Sequence, residues 1–379
     1  VALVLNEEQQ MIKDSAAGFL AEKASVSHLR KLRDDPQELG YDAQVWREMV
    51  DMGWAGIAVS EEFGGLGFGY TGLGLVLEQS GRHLSVSPLQ SAVLVGATLI
   101  AELGSQAHKE AYLPAIAAGE TLVTLALQEG AHHTPEQTAL VAAKQGENYT
   151  LNGTKTLVLD GSSADTFIVI GRTSGAAGDE GGLSAFMVDA KSTGVAIDRN
   201  IMVDSRSAAT VSFSDVTVTE DNILGNEGEA WQGLSRTLDV ANIGLAAELL
   251  GISVEAFERT MEYLKERKQF GKVIGSFQGL QHRAAELFAE LELARSIVLQ
   301  ALQAVDDDSE DIPVLASAAK AKLCEVVQRA TNEGIQMHGG IGMTDEHEIG
   351  FFIKRARVAQ HTFGDYNYHL DRFALLSGF

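Results

Sequence analysis

Apolar residues recur at intervals of three and four over residues 5–119, as in Met49, Met52 and Ala55 and again in Leu73, Val76 and Leu77. That spacing lines one face of a 3.6-residue helix, so the first third of the chain reads as helical. Residues 89–103 are more uniformly apolar and read as a further helix stopped by Gly104, while Gly64-Gly65-Leu66-Gly67 reads as a break between helices. Near Thr121 the period changes. Short runs rich in β-branched residues alternate with turn residues up to about Glu220, and strands are expected over 149–151, 156–158, 166–170, 184–188 and 210–218. Asn152-Gly153 lies between two such runs and predicts a hairpin turn. The stretch 174–182, SGAAGDEGG, predicts a mobile loop tip.

From about Trp231 the helical period returns. Leu245, Leu249, Ile252, Ala256 and Met261 mark the stripe of one long helix, and Leu280, Ala284, Phe288, Leu291, Ile297 and Leu302 that of a second. The acidic run 306–311, followed by Pro313, reads as a connector to a last long helix over 314–338. Helices, then strands, then helices predict an α+β chain in three parts. These are an N-terminal helical domain (1–119), a central β-barrel or sandwich domain (120–228) and a C-terminal four-helix-bundle domain (229–379). No internal repeat is visible.

With 45% hydrophobic residues in a length of 379, the chain can bury a core without disulfides or metal. Its single cysteine, Cys324, cannot form an internal disulfide; it reads as a small buried hydrophobe and fits a reducing compartment. A formal charge of −23, from 29 basic and 52 acidic residues, argues against nonspecific binding to nucleic acid or an anionic membrane. A phosphate-bearing ligand held by a few local cations stays compatible with it. No apolar run reads as long enough to span a bilayer, and residues 1–10 show no charged n-region or apolar h-region, so the cytoplasm is the expected location. His132, His133, His338 and His361 show no HExxH-like or Cys/His spacing that would point to a metal.

Three segments carry a more specific signal. Trp46-x-x-Met49 leads through Met52-Gly53-Trp54-Ala55-Gly56-Ile57 to Glu61-Glu62-Phe63-Gly64-Gly65-Leu66-Gly67. Arg267-Lys268-Gln269-Phe270-Gly271 is followed by Ile274 and by Phe277-Gln278, and the third segment is Gln336-Met337-His338-Gly339-Gly340-Ile341-Gly342. Arg267 offers a rigid fork of donors suited to a pyrophosphate, and Gly271 with Gly339-Gly340 lets backbone approach a bulky ligand. In this order and spacing the segments resemble signatures of the acyl-CoA dehydrogenase family over nearly the whole chain, with Ser60 where the family has proline. The resemblance implies FAD as cofactor, an acyl-CoA substrate and an electron-transfer flavoprotein as acceptor. It also implies that Arg267, Phe270, Gly271, Gln278, Gln336, Gly339 and Gly340 serve FAD across a subunit interface.

The chain departs from the family where the chemistry occurs. A TEPGAGSD segment of the family touches the flavin ring and the acyl-CoA; the matching stretch here is Leu127-Gln128-Glu129-Gly130-Ala131-His132-His133. Gln128 replaces the threonine and is the residue assigned to the cofactor there. Leu157 and Leu159 stand where the family brings a tryptophan and a threonine against the flavin. Family chemistry also needs a carboxylate to take the α-proton while hydride leaves the β-carbon, help worth ~10²–10⁴ in rate. Alignment on Arg357-Val358-Ala359-Gln360 puts Phe363 at the usual glutamate, followed by Gly364. The alternative family position is Ala241, followed by Asn242 where arginine is common. Neither side chain accepts a proton. Glu248 lies ~10 Å further along that helix and reads as a paired structural carboxylate. His338 reads as structural within the glycine turn, and His361 lies two residues before the altered base position. Asp365 is the remaining candidate base, although a carboxylate there would repel a diphosphate.

Two functional classes stay open on the sequence. The chain resembles the glutamate-lacking subunit of bacterial heterotetrameric acyl-CoA dehydrogenases that act on bulky thioesters such as steroid side chains, completing the FAD site with a homologous subunit. Alternatively it is a self-sufficient homo-oligomer, either a dehydrogenase using Asp365 or a flavin monooxygenase, which needs no α-base. A protein that holds acyl-CoA without turnover is a third class, and the segment from Arg267 to Gly271 speaks against it.

Overall fold

The computed structural model describes residues 3–379. Six α-helices come first: α1 (Glu7–Lys23), α2 (Val26–Asp34), α3 (Ala43–Asp51), α4 (Gly69–His83), α5 (Thr98–Leu103) and α6 (Gln106–Ala117). Eight strands follow: β1 (Val123–Ala126), β2 (Val141–Gln145), β3 (Asn148–Leu159), β4 (Thr166–Arg172), β5 (Leu183–Asp189), β6 (Val195–Ile201), β7 (Ser207–Thr219) and β8 (Ile223–Leu224). Then come α7 (Trp231–Glu266), a small ribbon of β9 (Lys268–Gln269) and β10 (Lys272–Val273), and the helices α8 (Gln278–Asp306), α9 (Ile312–His338), α10 (Ile349–His361) and α11 (Tyr366–Leu376). The expected helix–strand–helix order is observed. By compactness the chain forms two units: one takes the chain through Lys31, Tyr70–Ser85 and Asn242–Phe379, the other Leu32–Gly69 and Val86–Ala241.

The first unit is helical. Asn6 opens α1 with a capping box, its side chain accepting from the Gln9 amide while the Gln9 side chain accepts from the Asn6 amide. Leu245, Leu249, Ile252 and Ala256 are buried along α7 as their spacing requires, whereas Met261 is only partly so. Helices α4 and α7 touch backbone to backbone: a Cβ on Gly251 would overlap the Glu78 carbonyl oxygen, and one on Gly81 that of Glu248. Helices α8 and α9 run antiparallel, because the ion pairs Arg283–Glu333, Arg329–Glu286 and Lys322–Glu290 step in opposite directions along the two. Their packing buries Leu287, Leu291, Ala294, Val298 and Leu302. The stripe expected through Phe288 is therefore off by a position at its start; Phe288 is 55% exposed. Helix α8 carries apolar residues on more than one face, and the partner helix selects among them. Asp306 at its end accepts from the Tyr70 and Thr71 amides at 2.6 and 3.0 Å, so the acidic connector caps α4 as well as joining α8 to α9.

One expectation about α7 is corrected. By length and composition this helix is apolar enough to cross a membrane, but 89% of its most apolar window is buried inside the protein, which accounts for its composition.

The second unit is built on a mixed sheet of order β6-β7-β3-β2-β4-β5-β8, with β1 added parallel on β4. Asn152-Gly153 is not a hairpin turn. Strand β3 runs through it against β7, and Asn152 sits in a bulge where its side chain donates to Asp215 and accepts from the Asp215 amide. A Cβ on Gly153 would lie 2.8 Å from the Leu140 side chain, so close approach explains the glycine. The real two-residue turn is Gly146-Glu147, between Gln145 and its partner Asn148. The halves of the sheet meet at one register pair of β2 and β4, Val141 with Arg172. Residues 89–103 are helical as expected, but open as a buried π-helix over Leu89–Ala97 before α5. The expected mobile tip, 174–182, is instead folded back, with the Gly178 amide bonded to the Glu136 carbonyl at 2.9 Å.

Gly251→Ala should cost about 2–3 kcal/mol, because overpacking here must move helix backbone. Gly18→Ala in α1, where no atom lies within 4 Å of the added Cβ, should instead stabilise by up to about 1 kcal/mol. Urea unfolding of both variants checks this, and equal midpoints would refute the close helix contact.

Candidate functional site

In the helical unit, three chain segments converge at one end. The Tyr263 ring near the end of α7 stacks on His338 at the end of α9, with centroids 4.4 Å apart. After α7 the chain doubles back through β9 and β10 over Phe270-Gly271, whose φ angles of 55° and 78° are both left-handed, as a tight two-residue turn requires. Gly271 adopts this at little cost; Phe270 bears strain of about 1 kcal/mol or more and projects a ring that is 89% exposed. The antiparallel register of α8 and α9 brings Gln278, which opens α8, to the end that carries Gln336, Gly339 and Gly340. Arg267, Phe270, Gly271, Gln278, Gln336, Gly339 and Gly340 are thus gathered, and all seven are exposed. The Arg267 guanidinium has no carboxylate partner among the described residues, and no atom lies within 4 Å of a Cβ built on Gly340. A donor fork without a counter-ion and an open glycine shelf fit an extended anionic cofactor such as FAD.

His338 supports this turn from beneath. It is buried, its Nδ1 lies 2.7 Å from the Gly334 carbonyl oxygen, and burial pushes its pKa down, as it does for the adjacent His347.

Phe363, the position expected to match the family's base, lies between α10 and α11. Phe363 is half-buried at φ 55°, and its carbonyl oxygen is 3.0 Å from His369 Nε2. Lys320, fully buried on α9, grips this turn: its Nζ donates to the carbonyls of Gln360, Thr362 and Gly364 at 3.4, 2.7 and 2.8 Å. Burial lowers the Lys320 pKa to about 8, against modest opposition from Cys324 and Asp365. Asp365 accepts from the Tyr368 amide at 3.0 Å and so caps α11. Glu248 is a buried partner of Arg355, at 3.0 Å, and Arg355 also donates to the Ser85 and Leu84 carbonyls. His361 is exposed, and Ala241 is fully buried on α7. Cys324 is buried as expected, which pushes its thiol pKa up.

In the β unit, residues 127–138 line a cavity of 260 Å³ that includes Gln128, Glu129, His132, His133 and Gln137. Gln128 turns its side chain back to donate to the Gly130 carbonyl at 2.9 Å. Glu129 accepts from the amides of Ala139 and Leu140 and, at 2.7 Å, from the fully buried Lys155, which also donates to the Leu127 carbonyl. Burial pushes the Glu129 carboxyl up, but Lys155 and the two amides outweigh it and leave the pKa below the ordinary value. Burial likewise brings Lys155 down to about 8 against the pull of Glu129, so the two are paired as ions at neutral pH. Leu157 occupies a bulge of β3 at φ 52° and is 47% exposed, while Leu159 is half-buried. His132 is exposed and His133 buried; among the described residues no group of three His, Cys, Asp or Glu is placed to hold a metal ion.

Sequence reasoning missed the buried cations Lys155, Arg172 and Lys320, as it did Arg206 and Arg355. For Lys320 a signal existed, since it falls on the apolar stripe with Ala316, Leu323 and Val327. Lys155 offered none, because Thr154-Lys155-Thr156 reads as an ordinary polar strand.

The fold is that of flavin enzymes acting on acyl-CoA. It matches butyryl-CoA dehydrogenase from Megasphaera elsdenii with a TM-score of 0.91 at 27% identity, covering 99% of this chain and 100% of that one. A variant of the Tcur3481-Tcur3483 steroid ACAD matches with a TM-score of 0.88 at 29% identity, covering 98% of each chain. Family models of the acyl-CoA dehydrogenase N-terminal, middle and C-terminal domains match residues 6–120, 127–216 and 228–374. The short-chain specific acyl-CoA dehydrogenase of Clostridium acetobutylicum is 31% identical over 366 residues, 94% of each chain. The chain belongs to the acyl-CoA dehydrogenase family, whose enzymes are FAD flavoproteins.

Below about pH 8, Lys320 is protonated in folded and unfolded chains alike. Between about 8 and the ordinary value of 10.5 only the unfolded chain keeps the proton, so folding stability from this group rises with pH. Wild type should therefore gain stability over Lys320→Met across that window in urea titrations at stepped pH, and parallel profiles would refute the assignment.

Proposed function

We propose that this chain is the non-base subunit of a hetero-oligomeric, FAD-dependent acyl-CoA dehydrogenase. Its exposed helical end completes the FAD site, and a homologous subunit supplies the carboxylate that takes the α-proton. The observation that carries this is a division within one chain. The seven cofactor-type residues are assembled and exposed, while both positions for a base hold Phe363 and Ala241.

Arg267 would hold the diphosphate with paired donors, Gln278 and Gln336 would offer amides, and Gly339-Gly340 would let the backbone close on the cofactor. Phe270 would lay its ring against the cofactor. When bound, FAD supplies hydride acceptance from the substrate β-carbon. No side chain at the family's two base positions can take up the accompanying proton. Asp365 is engaged as a helix cap, which weighs against a self-sufficient enzyme. Likeness to a steroid ACAD supports a bulky acyl-CoA as substrate class. An electron-transfer flavoprotein would receive the electrons, and the lone, buried thiol suits a cytoplasmic setting.

An anaerobic absorbance titration of the purified chain with a panel of acyl-CoA thioesters tests this. The expected result is a chain that arrives without flavin, or with flavin that never bleaches, in wild type and Asp365→Asn alike. Bleaching that Asp365→Asn abolishes would establish a self-sufficient dehydrogenase instead. Rapid reoxidation by O₂ with hydroxylated product would establish a monooxygenase.

A further inference from the structure

We infer that Arg172 is the positioning residue of the cavity formed by residues 127–138, and that residues 174–182 are the fixed rim of that cavity. Arg172 ends β4 and is 8% exposed. Its Nε donates to the Thr138 carbonyl at 2.9 Å, one terminal nitrogen to Gly181 at 3.0 Å, and the other to Glu136 and Asp179 at 2.8 and 3.0 Å. All four acceptors are main-chain carbonyls, two from the cavity loop and two from the following loop, and no carboxylate is among them. A planar guanidinium with five donors can serve four carbonyls from two directions; an ammonium with three cannot.

The arrangement is doubly anchored. Lys155 fixes the start of the cavity loop through Leu127 and Glu129, and Arg172 fixes its end through Glu136 and Thr138. Arg172 also sits where β2 and β4 make their one register pair, with its amide bonded to the Leu140 carbonyl at 2.8 Å. The rim is then closed by its own backbone. The Thr173 amide reaches the Gly182 carbonyl and the Gly182 amide the Gly228 carbonyl, each at 2.9 Å. Gly182 is left-handed at φ 82°, and a Cβ there would overlap the Ser174 carbonyl oxygen. The glycines of this loop thus serve a tight turn. Among the described residues Arg172 is the one group bonded to carbonyls of both loops, so removing it should release both loops together.

This rests on the proposed function only in taking FAD as the cofactor of the assembly and the cavity loop as one of the elements that contact it. Hydrogen–deuterium exchange on the native assembly, paired with FAD dissociation followed by the fluorescence of released flavin, tests it. Arg172→Met should raise exchange about tenfold or more in 133–140 and 174–182 together, leave the helices at baseline, and weaken FAD binding about tenfold. Arg172→Lys keeps the charge but not the fork; it should recover part of the protection, and it is the variant to measure if Arg172→Met does not fold. Glu147→Gln, an exposed position in the turn between β2 and β3, should change neither quantity. Unchanged exchange in 133–140, or opened loops with unchanged FAD affinity, would overturn the inference. A wild-type assembly that binds no FAD would sink the proposed function instead, and joint or separate opening of the two loops would then decide the role of Arg172 alone.

Discussion

Buried main-chain carbonyls of irregular segments must find donors, and in this protein buried cations supply them. Lys155, Arg172 and Lys320 each lie at 8% exposure or less and each bonds to carbonyls outside regular structure. Burying a cation is expensive, and the cost is tolerable only where several acceptors surround it. These three hold irregular segments: the start of the cavity loop, its end with the rim, and the turn that carries Phe363. Regular helices and strands satisfy their own backbone; these segments do so only in part.

That division separates scaffold from site. The scaffold rests on burial and close helix contact, as at Gly81 and Gly251, where two helix backbones meet. The exposed helical end rests on turn geometry, with Phe270 held at positive φ and its ring in solvent. Strain of this kind persists only where the surroundings fix it, and it marks surfaces that do something other than stabilise the fold. The Phe363 turn shows the same pattern, a left-handed backbone gripped by a buried lysine.

Much of the site was legible because its motifs are local. Arg267 to Gln278 and Gln336 to Gly342 each read as one short stretch, and the structure brings them to the same end of a helical unit. That Phe363 and Ala241 are not carboxylates was legible too, since that is a matter of residue type. The buried cations were not, because a lysine in a polar strand looks the same whether it faces water or a carbonyl.

The sequence by itself determined the order of helices and strands, the stripe of α7 and the family, because these depend on periodicity and residue identity along one stretch. Tertiary structure alone decided which face of α8 is buried, where β3 continues through Asn152-Gly153, and that residues 174–182 are a bonded rim. Each of those outcomes depends on a partner distant in sequence: α9 for Phe288, Asp215 for Asn152, Glu136 for the rim. Local pattern records what a segment can do, and the free energy of satisfying distant polar and apolar partners selects which of those options it takes.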